Sequence, residues 1–275
     1  MIPYSRQFID KRDINTVKKV LKSNFITQGQ INHKFEEEVC KKLKSKFAIT
    51  TNSATSSLHI ACIALGLTKG DIFWTVPNTF VASANVGVLC GAKIDFVDID
   101  PQTLNISVEE LEKKLIKSKK NKTLPKIIIP VHFAGQPTDQ EKIWKLSKKF
   151  NFKIIEDASH SLGSLRNNKY IGNCKWSDIT VFSFHAVKII TSAEGGMALT
   201  NNKIIADKMN MLKSHGVTRD KKKYLNNNFN DWVYEQHYVG YNYRLNEIQA
   251  ALGLSQFKKL DKFVQKRNEI ASYYK

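Results

Sequence analysis

Short apolar runs alternate with amphipathic stretches through most of this chain. The runs Phe47 to Thr50, Ile72 to Val76, Ile94 to Val97, Lys126 to Val131, Lys153 to Glu156, Ile179 to Phe184 and Gly196 to Thr200 read as strands. Helical spacing between them predicts helices near residues 54–66, 80–90, 107–118 and 139–150. Strands that alternate with helices in this way predict an α/β fold, with a mainly parallel central sheet and helices on both faces.

The two ends depart from that rhythm. Amphipathic helices near residues 10–22 and 33–44 precede the first strand, joined by Asn24-Phe25-Ile26-Thr27-Gln28-Gly29. Such an arm lies outside the repeating unit and is free to cover a site or to reach a partner subunit. From Leu245 the pattern predicts one long helix to Tyr274, closing on Tyr273-Tyr274-Lys275 without a cap or stop signal. The expectation is a truncated protein.

Composition narrows the class. With 275 residues the chain can bury one large core, or one core and part of a second. No apolar run approaches the roughly 20 residues of a membrane span, and the N-terminus lacks the order of a signal peptide, so no membrane role and a cytoplasmic location are expected. Cys40, Cys62, Cys90 and Cys174 are widely spaced and read as small buried hydrophobes, with neither a metal site nor a disulfide framework signalled. The net charge of +18 comes almost entirely from lysines scattered over helix faces. That distribution fits a general bias in residue usage better than one basic groove, and no nucleic-acid partner is expected.

Candidate chemistry gathers at strand ends. Asp157 closes one apolar strand, in Glu156-Asp157-Ala158-Ser159-His160, and Lys188 lies just past a later one, in Ser183-Phe184-His185-Ala186-Val187-Lys188. A lysine that holds pyridoxal phosphate as a Schiff base, with a carboxylate that keeps the pyridine nitrogen protonated, would need this placement. Alone, each residue also suits a humbler role: a solvated lysine, or an aspartate helix cap.

Other motifs add to the pair. Thr51-Asn52-Ser53-Ala54-Thr55-Ser56-Ser57 follows a strand and opens a helix, so the amides of Ala54 and Thr55 suit a phosphate; an ordinary Ser/Thr cap is the alternative. Phe80 begins a helix at the same sheet edge, where it either stacks on a pyridine ring or packs into the core. His160 suits a hydrogen bond to a ring hydroxyl, or is a satisfied structural histidine. Ser183 is a natural phosphate ligand, and His185 flanks the same strand end. Asn242 precedes the late helix, where capping is the local alternative.

In this order, Asn52 to Ser56, Ser183 to Lys188, Thr191 to Gly196 and Asn242 to Gln249 resemble the DegT/DnrJ/EryC1/StrS family of sugar aminotransferases, a branch of the fold-type I pyridoxal phosphate-dependent transferases. The resemblance covers essentially the whole chain. It implies a pyridoxal phosphate-binding large domain with its N-terminal arm over residues 1–255, and the start of a truncated C-terminal small domain over 256–275. It implies that Lys188 forms the Schiff base, that Asp157 meets the pyridine nitrogen, and that Ala54, Thr55 and Ser183 bind phosphate. Asn242 would reach the partner subunit's cofactor in a homodimer with shared sites, while Tyr4, Asn24, Phe25, Ile26 and Thr27 border the sugar. The implied substrates are a UDP-linked 4-keto-6-deoxy sugar and L-glutamate. A sugar dehydratase on the same fold is the rival, and Lys188 argues against it, because such enzymes typically carry histidine there.

Overall fold

The computed structural model describes residues 5–225 and 232–274. In chain order its elements are α1 (Lys11–Leu21), α2 (Gln30–Leu43), β1 (Phe47–Thr51), α3 (Ala54–Ala64), β2 (Ile72–Thr75), α4 (Ala82–Leu89), β3 (Lys93–Phe96), α5 (Val108–Lys120), β4 (Ile127–Ile128), α6 (Gln140–Phe150), β5 (Lys153–Asp157), β6 (Leu165–Arg166), β7 (Lys169–Tyr170), β8 (Ile179–Ser183), β9 (Gly196–Thr200), α7 (Lys203–Leu212), β10 (Val217–Thr218), β11 (Glu235–Gln236), α8 (Glu247–Phe257) and α9 (Leu260–Tyr273). Seven strands form one sheet in the order β1-β9-β8-β5-β4-β2-β3. Only β9 runs antiparallel to its neighbours, β1 and β8. The mainly parallel sheet expected from the sequence is therefore present, with the pairs β6–β7 and β10–β11 added outside it.

Alternation along the strands builds two cores. Side chains point to opposite faces of a sheet with period two. Phe73, Ile127, Ile155, Val181 and Ala198 join Leu58 and Ile60 of α3, Val86 of α4 and Met209 of α7 on one face. Their sequence neighbours Trp74, Ile128 and Ile154 pack with Leu111 of α5 and Ile143 of α6 on the other. Phe182, Met197 and Leu199 extend that second face against Phe35 of α2 and Phe257 of α8. Trp74, Phe35, Phe73, Phe182 and Phe184 are essentially fully buried, each contributing roughly 1.5–3 kcal/mol of apolar transfer.

Several boundaries differ from the sequence reading for identifiable reasons. The strand expected over Lys126 to Val131 is regular only at Ile127–Ile128, because Pro130 has no N–H to donate; the chain resumes pairing at a single bridge between Val131 and Asp157. The long helix expected from Leu245 to Tyr274 is two helices, broken at Lys258 and Lys259. There the Lys259 ammonium binds Asp10 (3.0 Å) and the buried Asp13 (2.6 Å). Asp13 also accepts from Ser255 and Gln256, both at 2.7 Å. These contacts tie α8 to α1.

The end of α8 that begins at Glu247 is fastened to α2. Glu247 is buried, and its carboxylate accepts from the Ile31 amide at 2.6 Å and from Asn32, so it caps α2 electrostatically. Gly29 permits this approach, since a Cβ there would lie 2.9 Å from Glu247 Oε2. Two cysteines also depart from expectation, and Cys40 is only partly buried against the second face. Cys90 is only half-buried, and the Cys62 thiol, with His59 beside it, pulls the Cys90 thiol well below the usual range. It is thus not an inert apolar filler.

Candidate active site

Two adjacent carboxylates occupy the end of β5 and face opposite sides of the sheet. Glu156 points into the core shared with α6. It accepts from Thr180 Oγ1 at 2.7 Å, from Ser177 Oγ and from His132 Nε2 at 2.8 Å. His132 Nδ1 accepts the Thr138 amide at 3.0 Å. With Nδ1 accepting, the proton sits on Nε2, and His132 is a neutral donor. Glu156 thus accepts three hydrogen bonds from protein groups on the α6 side.

Asp157 points the other way, and its backbone is held on both sides. Its amide donates to Pro130 O (2.9 Å), its carbonyl accepts from His132 N (3.0 Å), and Ala158 N donates to Val181 O (2.9 Å). Asp157 as a whole is 5% exposed. Oδ2 accepts from Ser83 Oγ at 2.6 Å, and Oδ1 accepts from Ser159 N (3.1 Å) and Ser159 Oγ (2.7 Å).

Lys188 and His160 share the electrostatic field of this carboxylate. Lys188 lies in the loop after β8, where its amide turns back to His185 O at 2.9 Å. Burial lowers the Lys188 pKa from its ordinary value, and the Asp157 charge opposes the shift. The effect makes the free amine, the nucleophilic form, more accessible near neutral pH. His160 reaches solvent at its surface, yet partial desolvation and then the Lys188 charge lower its pKa, against Asp157. Neutral imidazole is favoured beside the two charges.

The start of α3 supplies the complementary end. Ser53 caps it by accepting from Ser56 N at 3.1 Å. The cap predicted from the sequence is thus real, but it leaves the amides of Ala54 and Thr55 without an acceptor among the described residues. Gly196 backs onto this turn so closely that a Cβ would lie 2.4 Å from Ala54 N. Ser183, nearly buried, ends β8 beside it through the pairing of Ser183 with Gly196. Asn52 N donates to Tyr243 O at 2.8 Å and Asn52 Nδ2 to Asn242 O at 3.5 Å, so the Asn242 loop lies against the same turn. The capping role considered for Asn242 belongs instead to Asn246, which accepts from Gln249 N at 2.9 Å.

The remaining candidates are placed as follows. Phe80 is 72% exposed, which excludes the core-packing alternative. His185 is exposed and 3.7 Å from Glu194. Asn24, Phe25, Ile26 and Thr27 form the exposed connection between α1 and α2, where Ile26 O accepts from Glu247 N at 3.0 Å. Tyr4 lies outside the described residues. The cavity of about 720 Å³ between α9 and the β6–β7 hairpin is lined by Gly163, Leu165, Tyr170 and Val264, and by none of the candidates. Among the described residues no His, Cys, Asp and Glu cluster suits a metal ion, and no helix is long and apolar enough to cross a membrane.

Sequence reasoning missed the supports of Asp157. Ser159 carried a local signal, since an aspartate often accepts from the residue two positions on. Ser83 carried none, being distant in sequence and brought in only by the packing of α4 on the sheet.

The site's two ends suit a molecule with an anionic group at one end and a cationic heterocycle near the other. Known proteins with the same fold agree. Residues 7–275 match the DegT/DnrJ/EryC1/StrS aminotransferase family. The chain is 42% identical to the UDP-4-amino-4,6-dideoxy-N-acetyl-β-L-altrosamine transaminase of Campylobacter jejuni, over 100% of this chain and 69% of that one. The structure of Helicobacter pylori PseC, an aminotransferase involved in the biosynthesis of pseudoaminic acid, superposes with a TM-score of 0.89 at 38% identity, covering 99% of this chain and 69% of that one. NtdA from Bacillus subtilis, with the cofactor PMP bound, gives a TM-score of 0.76 at 28% identity, covering 91% and 53%. A match along nearly the whole chain, in both sequence and fold, places this chain in the DegT/DnrJ/EryC1/StrS aminotransferase family.

Proposed function

We propose that the protein is a pyridoxal phosphate-dependent aminotransferase. It moves the amino group of L-glutamate to C4 of a UDP-linked 4-keto-6-deoxy sugar, UDP-2-acetamido-2,6-dideoxy-β-L-arabino-hex-4-ulose, as a step toward pseudaminic acid in the cytoplasm. The observation that supports the reading is that Lys188, in the loop after β8, lies within the electrostatic field of the Asp157 carboxylate at the end of β5. The choice of sugar rests on the names of the Campylobacter and Helicobacter relatives.

The residues fit the cofactor. Unpaired amides at Ala54 and Thr55, the adjacent Ser183, and a backbone at Gly196 that admits no side chain form a cradle for its phosphate. Asp157 would hold the pyridine nitrogen, Phe80 cover a ring face, and His160 face the ring hydroxyl. When bound, pyridoxal phosphate supplies an electron sink for the carbanion made beside the migrating amine. Lys188 would attach the cofactor, and its amine, whose pKa burial lowers, would take the proton from the donor's α-carbon and deliver it to the cofactor's 4′-carbon.

We also propose a homodimer in which Asn242 completes the partner subunit's site. Exposed apolar side chains such as Phe80 (72%), Trp232 (79%) and Val239 (84%) support a protein partner. Incubating the protein with a panel of 4-keto nucleotide sugars and glutamate, and identifying products by mass, tests the substrate. Formation of the 4-amino sugar and 2-oxoglutarate is expected. Absence of amino sugar from every keto sugar in the panel would refute the reading.

A further inference from the structure

Asp157 does not hold its carboxylate unaided. A carboxylate only accepts, so the 2.6 Å contact fixes Ser83 as the donor to Oδ2. Ser83 has one hydroxyl proton, and that contact commits it. The 2.9 Å contact between Thr79 Oγ1 and Ser83 Oγ then has one possible direction, with Thr79 donating. An ordered chain results, from Thr79 through Ser83 to Asp157. Ser83 is 0% exposed, so bulk water does not substitute for it. With the two donors of Ser159 on Oδ1, three of about four acceptor positions are occupied and one remains.

We propose that Ser83 is a positioning residue for transamination, holding Asp157 charged and correctly turned, with Thr79 setting the direction of its proton. The proposal rests on the function above, because it needs Asp157 to meet the ring nitrogen of pyridoxal phosphate. Each donor on a carboxylate favours its charged form over its protonated form. With Ser83 in place, the proton between Asp157 and the ring nitrogen stays on the ring. Without it, that proton shifts toward the carboxylate and the ring withdraws electrons less strongly. The segment from Thr79 to Ser83 also carries Phe80, so one turn at the start of α4 would set both the ring's cover and its electronic partner.

The test uses Ser83→Ala and Thr79→Val protein loaded with pyridoxal phosphate labelled with ¹⁵N in the ring. In Ser83→Ala the ring ¹⁵N resonance should move from the protonated toward the unprotonated position. Its kcat should fall about ten- to a hundredfold, with KM for glutamate changed far less. Thr79→Val should move both in the same direction by less. An unchanged resonance in both variants, whatever their melting temperatures, would make Ser83 a packing residue and overturn the proposal. Should Ser83→Ala not fold, Thr79→Val decides on the same terms. Asp157→Asn separates this idea from its foundation: a responsive Asp157→Asn beside silent Ser83 and Thr79 variants rejects only the serine's role. If wild-type protein takes up no cofactor, or Asp157→Asn leaves the resonance unmoved, the site assignment fails and the proposal with it.

Discussion

Glu156 and Asp157 are neighbours on one strand, both at least 95% buried, and yet they belong to different parts of the protein. Glu156 faces His132, Ser177 and Thr180 on the α6 side of the sheet and accepts a hydrogen bond from each. Asp157 faces the sheet's other side, where Ser83 and Ser159 leave one direction free and where Lys188 and His160 feel its charge. Burial and charge do not separate the two. Each accepts three hydrogen bonds, so donor count does not separate them either. What separates them is the face of the sheet, which the period of the strand decides, and with it whether Lys188 and His160 share the carboxylate's field.

Substitutions should break the two halves of this comparison differently. Lys188→Ala should reduce transamination by about a thousandfold or more and leave the melting temperature of the cofactor-free protein nearly unchanged, since the side chain is only half-buried. Steady-state rates and a thermal melt check both. Asp157→Asn should lower kcat by about a hundredfold, with a fold close to wild type by circular dichroism. Gly196→Ala should weaken uptake of pyridoxal phosphate by about tenfold or more, because the new Cβ drives into the backbone at Ser53 and Ala54. Equilibrium dialysis reads that affinity directly.

Glu156→Gln should invert the pattern. Its carbonyl can take only one side of the carboxylate's place, so the three donors of His132, Ser177 and Thr180 lose their charged acceptor. Two hydroxyls must reorient toward an NH2, at a cost of about 1–3 kcal/mol in urea unfolding. Activity of the folded fraction should stay within a few-fold of wild type. Equal effects of Asp157→Asn and Glu156→Gln on rate would erase the distinction between the two carboxylates.

Much of this was legible in the chain. The apolar runs marked the main strands, and the positions of Asp157 and Lys188 just at or past strand ends placed them on a common sheet edge. The helix break at Lys258 and Lys259 was not legible, because no glycine or proline marks it; the cause is Lys259 turning to Asp10 and Asp13 at the other end of the chain. The hairpin β6–β7 is too short to show a period. Helix α7, capped by Asn202, also went unread. Ser83 looked like any helix serine until packing brought it to Asp157.

The smallest expected effect is on pH dependence. Burial opposes charge on Glu156, and hydrogen bonds from His132, Ser177 and Thr180 outweigh it, so its pKa lies below the ordinary carboxylate value. A carboxyl group depressed in the folded state binds fewer protons there than in the unfolded chain. Its stabilisation is present above the unfolded value of 4.5 and is lost as pH falls through the lower folded value. Unfolding free energy measured from pH 6 downward should therefore fall less steeply in Glu156→Gln than in wild type.

The central claim is that Lys188, among the 43 lysines and arginines of this chain, is the residue that attaches the cofactor. Borohydride reduction of the protein with pyridoxal phosphate, followed by peptide mapping by mass spectrometry, tests it most directly. The account predicts a pyridoxyl group on the peptide containing Lys188, and none on that peptide in Lys188→Ala. Modification concentrated on a different lysine, or spread evenly over the surface lysines, would contradict it.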